Sequence, residues 1–202
     1  EDMVNSKFDI LISSTGGVGS TFFIDFIAKF KNVNPNNFAV GTSPYKHASN
    51  PPSEDFIKKA IFLYGDPYNA VLSINRRKIE FIHLRNRGKI GYHRDLDEPI
   101  DLKEFLGSGH DPFGMEEQFE SWLNSEVSYP IMFLKYEKIW ENIDRIYRFL
   151  ELPIESMDAF PKRLARNSDW NRVDESIKSV LESVYGSLKN RIDNLPDILI
   201  KE

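Results

Sequence analysis

The chain has 202 residues, with 26 Lys and Arg against 31 Asp and Glu for a net charge of −5, no cysteine, and 41% hydrophobic residues. A length of this order suits one α/β domain with a sizeable core. The acidic balance offers no global field for nucleic acid or an anionic membrane, so any anion site has to be built locally. The absence of cysteine removes disulfides, thiolate catalysis and zinc–sulfur sites together, and it fits a reducing compartment. No apolar run approaches the length of a membrane span, and Glu1–Lys7 is polar with no signal-peptide core. The chain is therefore expected to be soluble and cytoplasmic, with no membrane-spanning segment and no nucleic-acid partner.

In chain order, the first element is the most informative. Phe8, Ile10, Leu11 and Ile12 read as a strand, Ser13 to Gly19 is a run of small residues, and Phe22, Phe23, Phe26, Ile27 and Phe30 recur at helical spacing. This is a strand, a glycine loop and a helix, with Ser20 or Thr21 expected as the helix cap. Glycines allow positive φ and bring backbone N–H groups close to a ligand, and a helix N-terminus favours negative charge, so phosphate is the natural occupant. A glycine-rich turn with no ligand is the plain alternative. The nucleoside-triphosphate pattern GxxxxGK[ST] would need glycine at Ser14 and lysine at Ser20, which points away from an ATP-dependent kinase.

Asn32–Asn37 reads as a turn and Phe38–Val40 as a short strand, followed by a polar loop over Gly41–Pro52 that carries Tyr45, Lys46 and His47. Ser53 resembles a cap for a helical stretch over Glu54–Lys58. Ala60–Tyr64 is a continuous apolar run, the mark of a strand buried on both faces. Gly65-Asp66-Pro67 then breaks it and starts a helix running to about Arg77. Residues 79–113 read as a charged excursion or lid with Arg85, Arg87, Lys89 and Arg94. Asp101–Leu106 and Met115–Asn124 read as short helices, Pro130–Tyr136 as a strand and Ile139–Leu150 as a helix with one apolar stripe. A basic stretch at Lys162, Arg163 and Arg166 precedes a last helix over about Asp174–Arg191. The two strand–turn–helix units predict an α/β fold, one domain over 1–202, with a central parallel sheet flanked by helices.

The order of these motifs resembles the sulfotransferase family that uses 3′-phosphoadenosine 5′-phosphosulfate (PAPS), over roughly the whole chain. Gly17-Val18-Gly19-Ser20-Thr21-Phe22 is similar to the family's P-K-S-G-T-T-W loop. The resemblance implies that the backbone of Gly16, Gly17, Val18 and Gly19 and the hydroxyls of Ser20 and Thr21 hold the 5′-phosphate. It puts Phe22 against the adenine, with core packing as the alternative. The family's lysine falls on Gly17. Tyr45-Lys46-His47 resembles the K-T-H-x-P segment, which implies His47 as catalytic base, with His83, His93 and His110 as rivals. Lys46 beside it would supply the cation missing at Gly17.

Tyr64-Gly65-Asp66-Pro67 through Ser73 looks like the 3′-phosphate segment R-[ND]-P-x-[DE]-x-x-x-S. That implies Ser73 one turn into its helix as a ligand; the arginine falls on Gly65, and Arg76 or Arg77 would reach round in its place. Phe133-Leu134-Lys135-Tyr136-Glu137 resembles the R-Y-E-D-L strand, mostly scaffold, with Tyr136 near the adenine. Arg163 with Asp169 and Trp170 is similar to the R-K-G-x-x-G-D-W stretch, whose arginine meets the 3′-phosphate, and Arg166 is the alternative ligand. The implied activity is sulfuryl transfer from PAPS to a hydroxyl or amine, leaving 3′-phosphoadenosine 5′-phosphate (PAP) and requiring no metal. The charges of 85–94 suggest a polar small-molecule or saccharide acceptor. A non-catalytic nucleotide-binding module and a divergent nucleotide kinase are the alternatives.

Overall fold

In the computed structural model, residues 7–36, 45–79 and 100–202 are described. The strand expected over 38–40, the charged stretch 85–94, His83 and His93 lie outside them. Strand β1 (Ile10–Ser14) leads through the glycine loop to α1 (Ser20–Ile27). Strand β2 (Lys59–Tyr64) leads to α2 (Pro67–Arg76). Two short helices follow, α3 (Leu102–Leu106) and α4 (Met115–Leu123), then β3 (Ile131–Lys135) and α5 (Ile143–Leu150). Helix α6 (Glu175–Asp193) and strand β4 (Ile198–Lys201) close the chain.

The four strands form one open sheet in the order β1-β2-β3-β4, flanked by helices. The first three are parallel, with Ser14 opposite Leu63, Leu63 opposite Leu134 and Tyr64 opposite Lys135. Their C-terminal ends therefore lie side by side, the edge at which open α/β sheets collect ligands. The sheet is not wholly parallel. β4 runs antiparallel to β3, with Ile198 opposite Leu134 and Lys201 opposite Ile131. Its apolar triplet follows Leu195-Pro196-Asp197, and residues 136–197, with two helices among them, join it to β3, so the length of the connection does not set its direction.

Other expectations also shift. Helix α5 starts at Ile143 and not at Ile139, because Asn142 leaves helical geometry, and a 3₁₀ turn over Tyr136–Lys138 occupies the approach. Glu54–Lys58 forms a turn, with the Ile57 N–H on the Glu54 carbonyl, and no helix. Helix α1 has no side-chain cap: its N-cap is Gly19, and Ser20 and Thr21 already belong to the helix. Among the described residues, no helix is long and apolar enough to cross a membrane.

β1 is buried at every position, with a polar amide closing its outer edge. Asn34, 1% exposed, accepts from the Ile12 N–H at 2.6 Å and donates to the Ile12 carbonyl at 3.0 Å, standing in for a neighbouring strand. Asn34→Ala would leave both backbone groups buried without a partner, so a loss of about 2–4 kcal/mol is expected in urea unfolding. A loss under 1 kcal/mol would mean that water or another group takes the place of the amide.

Candidate functional site

The loops leaving β1, β2 and β3 meet at the carboxyl edge of the sheet. The glycine loop turns through three left-handed residues, Gly16 at φ 89°, Gly17 at φ 67° and Gly19 at φ 72°. Two of these positions also exclude any side chain. A Cβ on Gly17 would lie 2.4 Å from the carbonyl oxygen of Ala70 in α2, and one on Gly19 would lie 2.6 Å from the Tyr136 ring. Val18 is buried at the centre of the loop, and Ser20 is 6% exposed.

Two helices begin at this edge, and they differ. Asp66 caps α2, its carboxylate accepting from the Tyr68 and Asn69 N–H groups at 2.9 and 3.3 Å. The other carboxylate oxygen meets Lys189 of α6 at 2.8 Å. The N-terminus of α1, behind Gly19, has no such side chain. Its N–H groups and its partial positive charge are therefore the ones left for an anion.

Cationic side chains approach the loop from other segments. At Gly65, a Cβ would lie 2.7 Å from one carboxylate oxygen of Glu137, so no arginine fits while Glu137 is there. Glu137 in turn holds Arg166, Nη1 to Oε1 at 2.8 Å, and Arg166 Nη2 donates to the Gly17 carbonyl at 3.1 Å. The guanidinium also lies 5.0 Å from the centre of the Tyr136 ring. Lysine is excluded at Gly17 by the Ala70 backbone, but Lys46 approaches from the neighbouring segment. Its Nζ donates to Thr21 Oγ1 at 2.9 Å and to Asn36 Oδ1 at 2.5 Å.

Lys46 is 2% exposed, and burial, with Arg77 nearby, pushes its pKa down to about 8 against the pull of Asp25. Arg77 lies at the C-terminal end of α2 and is exposed. Desolvation of its guanidinium by the surrounding protein, and then the like charges of Arg76 and Arg166, hold its pKa below the usual arginine range. Among the described residues, neither Arg76 nor Arg77 has a carboxylate at ion-pair distance; Arg76 donates to Ser168 and Arg77 to the Ser73 carbonyl. Ser73 is thus in the last turns of α2, deeper than the one turn expected, because the helix starts at Pro67.

Arg163 lies over Trp140 at 5.6 Å, Trp140 stacks on Phe22 at 5.7 Å, and Tyr136 meets Trp140 edge-on. Phe22 is half-buried and packed in this ladder. Tyr136, Glu137 and residues 163–166 line an adjoining cleft of ≈ 280 Å³. His47 is 4% exposed beneath the loop, its Nδ1 3.0 Å from Ser14 Oγ and 3.2 Å from Ser14 O. His110 is exposed, on the turn after α3. Among the described residues, no group of His, Asp and Glu is placed to hold a metal.

Sequence reasoning missed Glu137, Gln118 and Asn36. Only the glycine at 65 signals that something fills the space an arginine would take. Protein-family models, curated proteins and solved structures were compared with the chain, and none matches it.

Two tests follow from this geometry. Gly17→Ala combines positive φ with a backbone overlap, whereas Gly109, at φ 75°, has nothing within 4 Å of its added Cβ. Gly17→Ala should cost about 2–4 kcal/mol and Gly109→Ala about 1 kcal/mol by denaturant titration; equal losses would show that crowding by Ala70 is irrelevant. The second test concerns Lys46. Its folded pKa lies below its unfolded value, so between about 8 and 10.5 the unfolded chain binds the extra proton and stability rises with pH. Wild type should therefore gain on Lys46→Met between pH 7 and pH 10, by at most on the order of 3 kcal/mol. A pH-independent gap between the two would remove the buried ammonium as the cause.

Proposed function

We propose that the chain is a PAPS-dependent sulfotransferase built on a sulfotransferase-like variant of the phosphate-loop α/β fold. The observation that carries this reading is the replacement of both absent cations in space. Arg166, held by Glu137, stands against the loop where Gly65 leaves room, and Lys46 reaches the first turn of α1 where Gly17 cannot carry a side chain. With Arg76 and Arg77, this gathers positive charge around a glycine loop in a chain of net charge −5. A donor with a 5′-phosphosulfate and a 3′-phosphate suits two separate cationic patches better than a single phosphate would.

The reaction is an in-line displacement. The acceptor oxygen or nitrogen attacks sulfur, the bond from sulfur to the 5′-phosphate oxygen breaks, and its electron pair stays on the departing PAP. The acceptor's proton passes to a base. Loop N–H groups, the Ser20 and Thr21 hydroxyls, Lys46 and Arg166 stabilise the charge growing on the leaving phosphate. Arg76, Arg77 and Ser73 face the 3′-phosphate, and the Phe22–Trp140–Tyr136 ladder with the adjoining cleft takes the adenine. The acceptor is a polar small molecule or a saccharide.

A non-catalytic nucleotide-binding module is the second reading. The burial of His47 favours it, since an acceptor's proton needs a base within reach. A panel of hydroxyl and amine acceptors with PAPS separates the two, since only the transferase turns over.

Calorimetric titration with PAP tests the shared step, with ATP–magnesium as the control. Micromolar PAP binding is expected, weakened at least about tenfold by Arg166→Ala, which removes charge-assisted bonds. Gly65→Arg should also weaken binding, although it restores the family's residue type, because the new side chain displaces Glu137 from Arg166. Tight magnesium-dependent ATP binding without PAP binding would turn the reading towards a kinase, and no binding of either by folded protein would sink it.

A further inference from the structure

Ser14 ends β1 and opens the glycine loop, and each of its polar groups is held from beyond the strand. Its N–H donates to the Lys46 carbonyl at 2.9 Å. Its hydroxyl oxygen accepts from the Gly16 N–H at 3.2 Å and lies 3.0 Å from His47 Nδ1. Its carbonyl accepts from Gln118 Nε2 at 3.2 Å and also lies 3.2 Å from His47 Nδ1. Gln118 sits on α4, 2% exposed, and its second N–H goes to the Ala48 carbonyl at 2.8 Å. Trp122, one turn further along α4, donates to that same carbonyl at 2.8 Å.

A carboxamide nitrogen has two hydrogens, and Gln118 spends one on each of two chain segments. One segment starts the loop; the other carries Lys46 and His47. Gln118 thus bridges, from more than a hundred positions beyond Ser14, two segments that also bond directly through the Ser14 N–H and the Lys46 carbonyl. His47 works on the same node, since whichever tautomer is present its Nδ1 faces Ser14.

We propose that Gln118 and His47 are positioning residues for the donor loop, and that His47 acts through Ser14 and not as the base that receives the acceptor's proton. The inference rests on the nucleotide-donor reading above and assigns these two residues a part in it. Through the Gly16 N–H, the orientation of Ser14 sets the first peptide of the loop. Freeing Ser14 loosens the turn through the three left-handed glycines that leads into the N-terminus of α1, and preorganised donors lose their value when they must be ordered by the ligand. A base in the usual sense has no such effect on donor binding, because it acts on the acceptor.

The experiment is PAP titration of wild type, His47→Asn, His47→Ala, Gln118→Met and Gln118→Ala, with circular dichroism and thermal melts on each. His47→Asn keeps a polar atom near the place of Nδ1, and Gln118→Met keeps volume without the N–H groups. His47→Ala, Gln118→Met and Gln118→Ala should weaken PAP about tenfold, and His47→Asn should stay within about threefold of wild type. Wild-type binding with unchanged affinity in folded His47→Ala and Gln118→Met overturns this inference while leaving the donor reading intact. A loss in His47→Asn as large as in His47→Ala also overturns it. Failure of wild type to bind PAP removes the donor reading itself, and this inference with it.

Discussion

One guanidinium joins the exits of the three parallel strands. Arg166 donates to Gly17 in the loop after β1 and to Glu137 after β3, and Glu137 accepts the Asp66 N–H after β2 at 3.2 Å. Loops of this kind have few apolar contacts to fix them, so their relative positions depend on such polar ties. The Arg166 and Glu137 side chains are 21% and 31% exposed, which keeps water from screening the pair as it would on an open surface. Arginine suits the task because its planar fork serves two acceptors at once and stays charged at every relevant pH. Lysine at the same place would supply charge without the planar fork.

That arrangement changes what the glycines mean. A residue-by-residue reading treats Gly17 and Gly65 as two cations lost from an anion site. In three dimensions, each glycine is the condition for a close approach. Gly17 lets the backbone of α2 at Ala70 come against the loop, and Gly65 makes room for the carboxylate that holds Arg166. The positive charge near the loop is carried by side chains arriving from elsewhere. The cost is that the site depends on long-range contacts, Arg166 lying 149 residues from Gly17 and Lys46 lying 25 from Thr21.

This explains which parts were legible in the sequence. The strands β1, β2 and β3 and helices α2, α4 and α6 announce themselves through apolar periodicity and the breaks at Gly65-Asp66-Pro67, because burial on both faces leaves no choice of residue type. β4 is short and half-exposed at the sheet edge, so its pattern is faint. Ser20 and Thr21 look like caps by type, but the left-handed turn at Gly19 begins the helix one residue early, and no local rule reveals that. The roles of Glu137 and Gln118 are illegible for a different reason: a carboxylate or carboxamide among other polar residues has no signature until its partner is in place. His47 reads as a base by residue type, and its burial against Ser14 is not visible from sequence.

The electrostatics of Lys46 and Arg166 divide the labour at the site. Arg166 is tied to Glu137 and to the Gly17 carbonyl. Lys46 is bonded to the neutral oxygens of Thr21 and Asn36, and burial holds its pKa near pH 8, so its charge is only loosely secured. A phosphate arriving at the start of α1 would favour the charged form, and the energy spent burying the ammonium would return as affinity for the anion. Arg77 is disfavoured as a cation by desolvation first and then by the like charges of Arg76 and Arg166. A multiply charged anion lying among Lys46, Arg77 and Arg166 would offset the cost of holding these cations close together.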